Sequence, residues 1–144
     1  MIIDCHGHYT TAPGELNIFR DAQLAALNSP AAGALKVPRI SDDQIRDSLE
    51  KAQLKLQRER GSDLTIFSPR ASAMGHHLGN EASSRQWARV CNGLIYRVCQ
   101  LYPDNFAGVC QLPQCSRCRA SATLRSAKAW RRRSSSCSAS AAAS

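Results

Sequence analysis

No stretch of this 144-residue chain approaches the ~20 consecutive apolar residues of a membrane span, so no membrane partner is expected. Nor does a secretory leader open it, since Met1 runs at once into Ile2-Ile3-Asp4-Cys5-His6. Its seven cysteines (Cys5, Cys91, Cys99, Cys110, Cys115, Cys118 and Cys137) are odd in number and irregular in spacing. That pattern lacks the regularity of a disulfide framework and implies reduced thiols in a cytoplasmic protein. Cys115-Ser116-Arg117-Cys118 has the spacing of half a zinc ribbon or of a redox pair, but no second pair follows it.

Acidic side chains are missing from one region alone. Residues 1–114 hold 12 Lys or Arg against all 11 Asp or Glu, a net of +1, whereas 115–144 hold seven basic residues and no acidic one. The overall charge of +8 therefore belongs to the tail. Ile, Val, Phe and Gly are absent there too, and 17 of its 30 residues are Ser or Ala. Such a segment cannot bury enough apolar surface to offset its ordering entropy, so 115–144 is expected to be disordered. A basic arm for nucleic acid or another partner, centred on Trp130-Arg131-Arg132-Arg133, is the functional alternative. Translation of a GC-rich gene in a shifted frame fits the abrupt edge better, so nucleic acid is not the expected partner; reading the other frames around the Gln114 codon would decide.

Residues 1–114 have the texture of a folded unit. Ile2 to His8 reads as a short buried strand, followed by a loop marked by Pro13-Gly14 and a weakly amphipathic helix over 15–28 with Leu16, Phe19, Leu24 and Leu27. After an irregular stretch to Arg39, Ser41 and Gln44 form a capping-box pattern opening a helix whose apolar stripe is Ile45, Leu49, Ala52 and Leu56, with Gly61 as its stop. A second strand spans 64–67. Ser83 or Ser84 is the expected cap of a further helix carrying Trp87, Val90, Leu94, Val98 and Leu101, and a third strand covers 106–110. Strand, helix, strand, helix, strand implies an α/β fold with about three parallel strands and crossover helices.

Ligands in parallel α/β proteins gather at the carboxyl ends of the strands. His6 and His8 end the first strand, and two residues apart on a strand means one shared face, so the two imidazoles can grip one metal ion. Two solvent-facing histidines would be the plainer reading, but Ser68-Pro69-Arg70, His76-His77 and Leu112 to Gln114 fall at the same end. Arg70 is a candidate for a substrate carboxylate, because a guanidinium forks onto a carboxylate with two hydrogen bonds, although a solvated loop arginine is as ready a reading. His76 can orient a substrate or donate a proton. Asp4 shares the histidine face and either holds an imidazole or caps a loop; Cys5 faces the other way and is expected to pack as a small apolar residue. No catalytic acid or base can be assigned.

Ile3-Asp4-Cys5-His6-Gly7-His8 resembles the first-strand Asp-x-His-x-His signature of the metal-dependent amidohydrolase superfamily. Together with Glu59 to Thr65, Phe67 to Ser72, Tyr96-Arg97-Val98 and Pro103 to Phe106, it is similar to the branch of hydratases acting in bacterial breakdown of lignin-derived aromatics by the protocatechuate 4,5-cleavage route. The resemblance covers 1 to about 114. It implies an incomplete (β/α)8 barrel, zinc as the divalent cofactor, and addition of water to the C=C bond of a small unsaturated oxo-carboxylate. It also implies that a further histidine and an acidic residue, contributed by later strands, complete the ligand set, so the chain is expected to be inactive alone; a three-strand piece with uncovered edges is expected to be poorly stable alone or to associate, as in a homo-oligomer. A decarboxylase or hydrolase of the same superfamily is the alternative within the enzymes, since His-x-His is shared among them.

Overall fold

A computed structural model describes residues 1–27, 29, 31, 34–70, 74–75 and 78–114. The tail, and with it every reading of 115–144, lies outside the described residues, as do His76 and His77. In chain order the elements are β1 (Ile3–Tyr9), α1 (Gly14–Ala25), α2 (Asp42–Glu50), α3 (Gln53–Arg60), β2 (Leu64–Pro69), α4 (Glu81–Leu101) and β3 (Phe106–Gly108). The strands form one sheet in the order β1-β2-β3, parallel throughout. This is the α/β arrangement expected from the alternation of elements.

One face of the sheet carries the core. Tyr9, Thr65, Phe67 and Phe106 are buried beneath the helices, with ring centroids 5.5 Å apart for Tyr9–Phe67 and 4.7 Å for Phe67–Phe106. From the helices come Leu16, Phe19, Ile45, Leu49, Leu54, Trp87, Cys91, Leu94, Ile95 and Val98. Among the described residues no helix packs on the other face. Alternation leaves Ile66 and Ser68 half-buried, and exposed apolar side chains lie along or beside the sheet, among them Ile3 at 48% and Val109 at 41%. Strands of parallel sheets are ordinarily covered on both faces, whereas the described residues cover this one on a single face.

Three local expectations need correction. The helix expected to run unbroken from Ser41 to Gly61 divides at Lys51 and Ala52, the latter at φ −132°, ψ −88°. The break turns the second half, so Leu54 and Gln57 are buried instead of Ala52 and Leu56, and Leu56 is 44% exposed. The cap itself forms as expected: Ser41 Oγ accepts from the Gln44 amide and Gln44 Oε1 from the Ser41 amide. Gly61 at φ 67° ends α3 in the left-handed conformation that favours glycine. The cap of α4 is Asn80, whose Oδ1 accepts from the Ser83 amide at 2.9 Å, and Ser83 and Ser84 are buried inside the first turn. Cys5 is exposed and does not pack, and β1, expected to be a buried strand, is exposed from Ile3 to His6.

A buried arginine holds the irregular segments together. Arg20, 1% exposed, donates from Nε to the Met74 carbonyl at 2.8 Å, from Nη2 to the carbonyls of Gly75 and Leu78, and from Nη1 to Gln23 Oε1. Its guanidinium lies 5.1 Å from the centre of the Trp87 ring. Gln23 continues the chain of bonds to Gln86, which in turn donates to the Leu35 carbonyl. Elsewhere Asn92 and the Gln111 backbone exchange two bonds of 2.8 Å, laying the segment after β3 against α4.

Candidate metal centre

Parallel register brings the polar ends of β1 and β2 level, with Gly7 opposite Phe67, His8 opposite Ser68 and Tyr9 opposite Pro69. A register shift falls between Asp4 and Gly7. Asp4 Oδ1 accepts from the His6 amide at 3.1 Å there, so its carboxylate serves the backbone of its own strand. Gly7 lies against the core face. A Cβ on it would come within 2.3 Å of Thr65 Cγ2, which is why the motif's middle residue has no side chain.

His6 and His8 share the open face, as their spacing predicts. Their Nε2 atoms are 3.1 Å apart and the rings meet edge to face at 89°. Two nitrogens bound at about 2.0–2.1 Å to one zinc ion would stand roughly 2.9 Å apart at a right angle and about 3.4 Å apart at the tetrahedral angle. The observed spacing lies between these values, so the separation of the pair suits two adjacent positions around one ion. Among the described residues no group of three His, Cys, Asp or Glu side chains is placed to hold a metal. A catalytic zinc takes about three protein ligands, so two imidazoles alone do not make up such a set.

What surrounds His8 was not visible in the sequence. Ser68 Oγ lies 2.6 Å from His8 Nδ1 and donates to the Gly7 carbonyl at 3.0 Å, while the Pro69 carbonyl lies 3.3 Å from the same Nδ1. Ser68 was recognisable only as part of a polar loop; the signal that would have found it is register, because both residues are the last open-face positions of adjacent strands. Below the pair, the turn after β1 is clamped by the junction of α2 and α3. Tyr9 Oη bonds Ser48 Oγ at 2.7 Å, and Thr11 Oγ1 lies 2.6 Å from Gln53 Oε1 and 3.1 Å from the Ser48 carbonyl, sharing its one hydrogen between them. Burial raises the Tyr9 phenol above its ordinary value, against a lowering by the Ser48 bond.

Arg70 is placed apart from this pair. It lines a small cavity with Tyr9, Leu16, Trp87, Cys91 and Leu94 behind the end of β2. Its Nε and the Trp87 indole Nε1 are enclosed without an acceptor. Among the described residues no hydrogen bond or ion pair joins Arg70 to His6 or His8. The thiols at the edge of this core are poor nucleophiles: burial pushes Cys91 up to about 12 and Cys99 up to about 11.

No protein-family model matches the chain. It is 54% identical over 114 residues, 79% of its length, to the 2-keto-4-carboxy-3-hexenedioate hydratase of Sphingobium sp., and spans 33% of that protein. Its structure is similar to the crystal structure of 4-oxalomesaconate hydratase from Rhodopseudomonas palustris, with a TM-score of 0.80 and 46% identity over 89% of this chain and 38% of that one. No helix among the described residues is long and apolar enough to cross a membrane. The chain thus spans about a third of the length of the curated relative it matches, and it is homologous to the N-terminal part of 4-oxalomesaconate hydratase.

Proposed function

We propose that this chain carries the first-strand metal pair, His6 and His8, of a zinc-dependent hydratase that adds water to the C=C bond of an unsaturated oxo-carboxylate. The observation that supports it most is the Nε2–Nε2 spacing of 3.1 Å at the carboxyl end of β1, in a chain 54% identical to a hydratase. A zinc ion there would supply a coordinated water of lowered pKa or polarise a substrate oxygen. His6 and His8 hold the ion, and the clamp of Tyr9, Thr11, Ser48 and Gln53 fixes the backbone from which His8 projects. Arg70 and His76 are the residues proposed to meet the substrate, Arg70 through the fork a guanidinium offers to a carboxylate. The three strands form the opening arc of a (β/α)8 barrel in a cytoplasmic enzyme, and the bare sheet face is the barrel interior, closed by further strands or by another copy of the chain. The remaining ligands then come from outside the described residues.

A chimera tests this reading. Residues 1–114 replace the homologous part of the Sphingobium hydratase, and hydration of its oxo-carboxylate is followed as loss of the conjugated chromophore. Activity that disappears in both His6→Ala and His8→Ala chimeras is the expected result. A folded, zinc-loaded chimera that hydrates equally well without His6 and His8 would overturn it.

A further inference from the structure

We infer that Ser68 is a positioning residue for the metal pair: it commits His8 to the tautomer with its proton on Nδ1 and a bare Nε2 turned toward His6. The inference rests on the proposed metal role of His6 and His8, and on a proton count that is independent of it.

Ser68 has one hydroxyl hydrogen, and we assign it to the Gly7 carbonyl 3.0 Å away, which can only accept. Toward His8 Nδ1, at 2.6 Å, the hydroxyl can then offer only a lone pair, so Nδ1 must be the donor. The Pro69 carbonyl, 3.3 Å from the same nitrogen, is an acceptor under any circumstances and would face a lone pair if Nδ1 were bare. Both neighbours therefore place the proton on Nδ1. Pro69 alone is a weak constraint, since its separation exceeds the usual 2.7–3.2 Å of an N–H···O bond.

The consequence reaches the other histidine. With His8 Nε2 bare, the 3.1 Å contact between the two Nε2 atoms is a hydrogen bond donated by His6 in the metal-free chain. His8 is ready to ligate as it stands, whereas His6 must move its proton to Nδ1. The bond that sets a ligating imidazole's tautomer is commonly made to a carboxylate or a backbone carbonyl; here a serine anchored on a strand carbonyl makes it. The preparation of the site is thereby built into the pairing of β1 and β2, because Ser68 and His8 are register partners and Gly7 lies on the same strand.

The test uses the full 144-residue chain, nitrogen-labelled, as wild type, Ser68→Ala and Ser68→Thr. Long-range proton–nitrogen spectra of the metal-free protein read the His8 tautomer, and competition with a chromophoric chelator reads zinc affinity. The wild type is expected to carry its His8 proton on Nδ1. Ser68→Ala should lose that preference and bind zinc about 10–100-fold more weakly, and Ser68→Thr, which keeps the hydroxyl, should restore both. A His8 proton on Nε2 in the folded wild type overturns the inference whatever the variants do. So does an alanine variant with unchanged tautomer and zinc affinity within about twofold of the wild type. Zinc binding by the wild type no tighter than by a His6→Ala, His8→Ala chain overturns the metal role itself, and the tautomer spectra then report on the proton count separately.

Discussion

Replacing Gly7 by alanine puts a methyl group into the narrowest part of the motif. The added Cβ would meet Thr65 Cγ2 at 2.3 Å, Phe67 Cδ2 at 3.1 Å and the Ile66 carbonyl at 3.2 Å. Carbon atoms rest at about 3.5–4.0 Å, so the first contact overlaps by more than ~1 Å and the second by a few tenths. Thr65 is buried and stiff at χ1, and its Oγ1 faces Gln57, so its methyl cannot simply turn away. β1 must therefore back away from β2 beside His8 and Ser68. Forced overpacking of this kind costs about 1–3 kcal/mol. With a urea dependence of about 1–3 kcal/mol/M for a chain of this size, the unfolding midpoint followed by circular dichroism should fall by roughly 1 M. Thr65→Ser supplies the control. On its own it removes a buried methyl and should destabilise by about 1 kcal/mol, whereas in the Gly7→Ala chain it should stabilise, because it removes the 2.3 Å contact. Recovery should stop short of the parent, since the Phe67 and Ile66 contacts remain. A Gly7→Ala chain within about 0.5 kcal/mol of the parent, or a Thr65→Ser change with the same sign in both backgrounds, would refute the packing argument.

Two further outcomes follow from the buried polar groups. Arg20→Met removes the donors of the Met74, Gly75 and Leu78 carbonyls and should cost about 1–3 kcal/mol, with faster protease cleavage in the 74–78 segment; unchanged cleavage would show that Arg20 does not hold it. Cys91 and Cys99 give an alkaline signature. Their folded values, about 12 and about 11, lie above the ordinary 9.0, so the unfolded chain releases these protons first. Their stabilisation is whole below pH 9.0 and is lost as pH climbs toward the folded values, by up to about 1.4 kcal/mol per pH unit for each thiol. Urea midpoints measured stepwise from pH 8 to 11 should fall less steeply in Cys91→Val; the same steepness would mean that burial of Cys91 does not govern the loss.

How much of this was legible in the sequence depends on whether the determining contacts are local. The alternation of strands and helices, the Ser41–Gln44 cap, the Gly61 stop and the shared face of His6 and His8 rest on spacing within a few residues, and each is present. The break at Ala52 is not local in cause: an uninterrupted run of good helix formers divides where the turn after β1 docks, through Thr11 and Gln53, onto the junction. The same holds for the cap of α4. Ser83 or Ser84 was the expected cap, but both serines are buried in the first turn and Asn80, three residues before Ser83, takes the role. Arg20 carried no mark in a weakly amphipathic helix, because its partners are carbonyls more than 50 residues away. Ser68 is the instructive case for the site, since only strand register sets it opposite His8.

Calorimetric titration of the purified chain with zinc, beside His6→Ala, His8→Ala and the double variant, bears most directly on the metal pair. Stoichiometric binding of one ion, lost to a similar extent in either single variant and no further in the double, is the expected result, because two nitrogens 3.1 Å apart act as one chelate. Binding that survives the double variant, or that falls independently and additively in the two single variants, would contradict it.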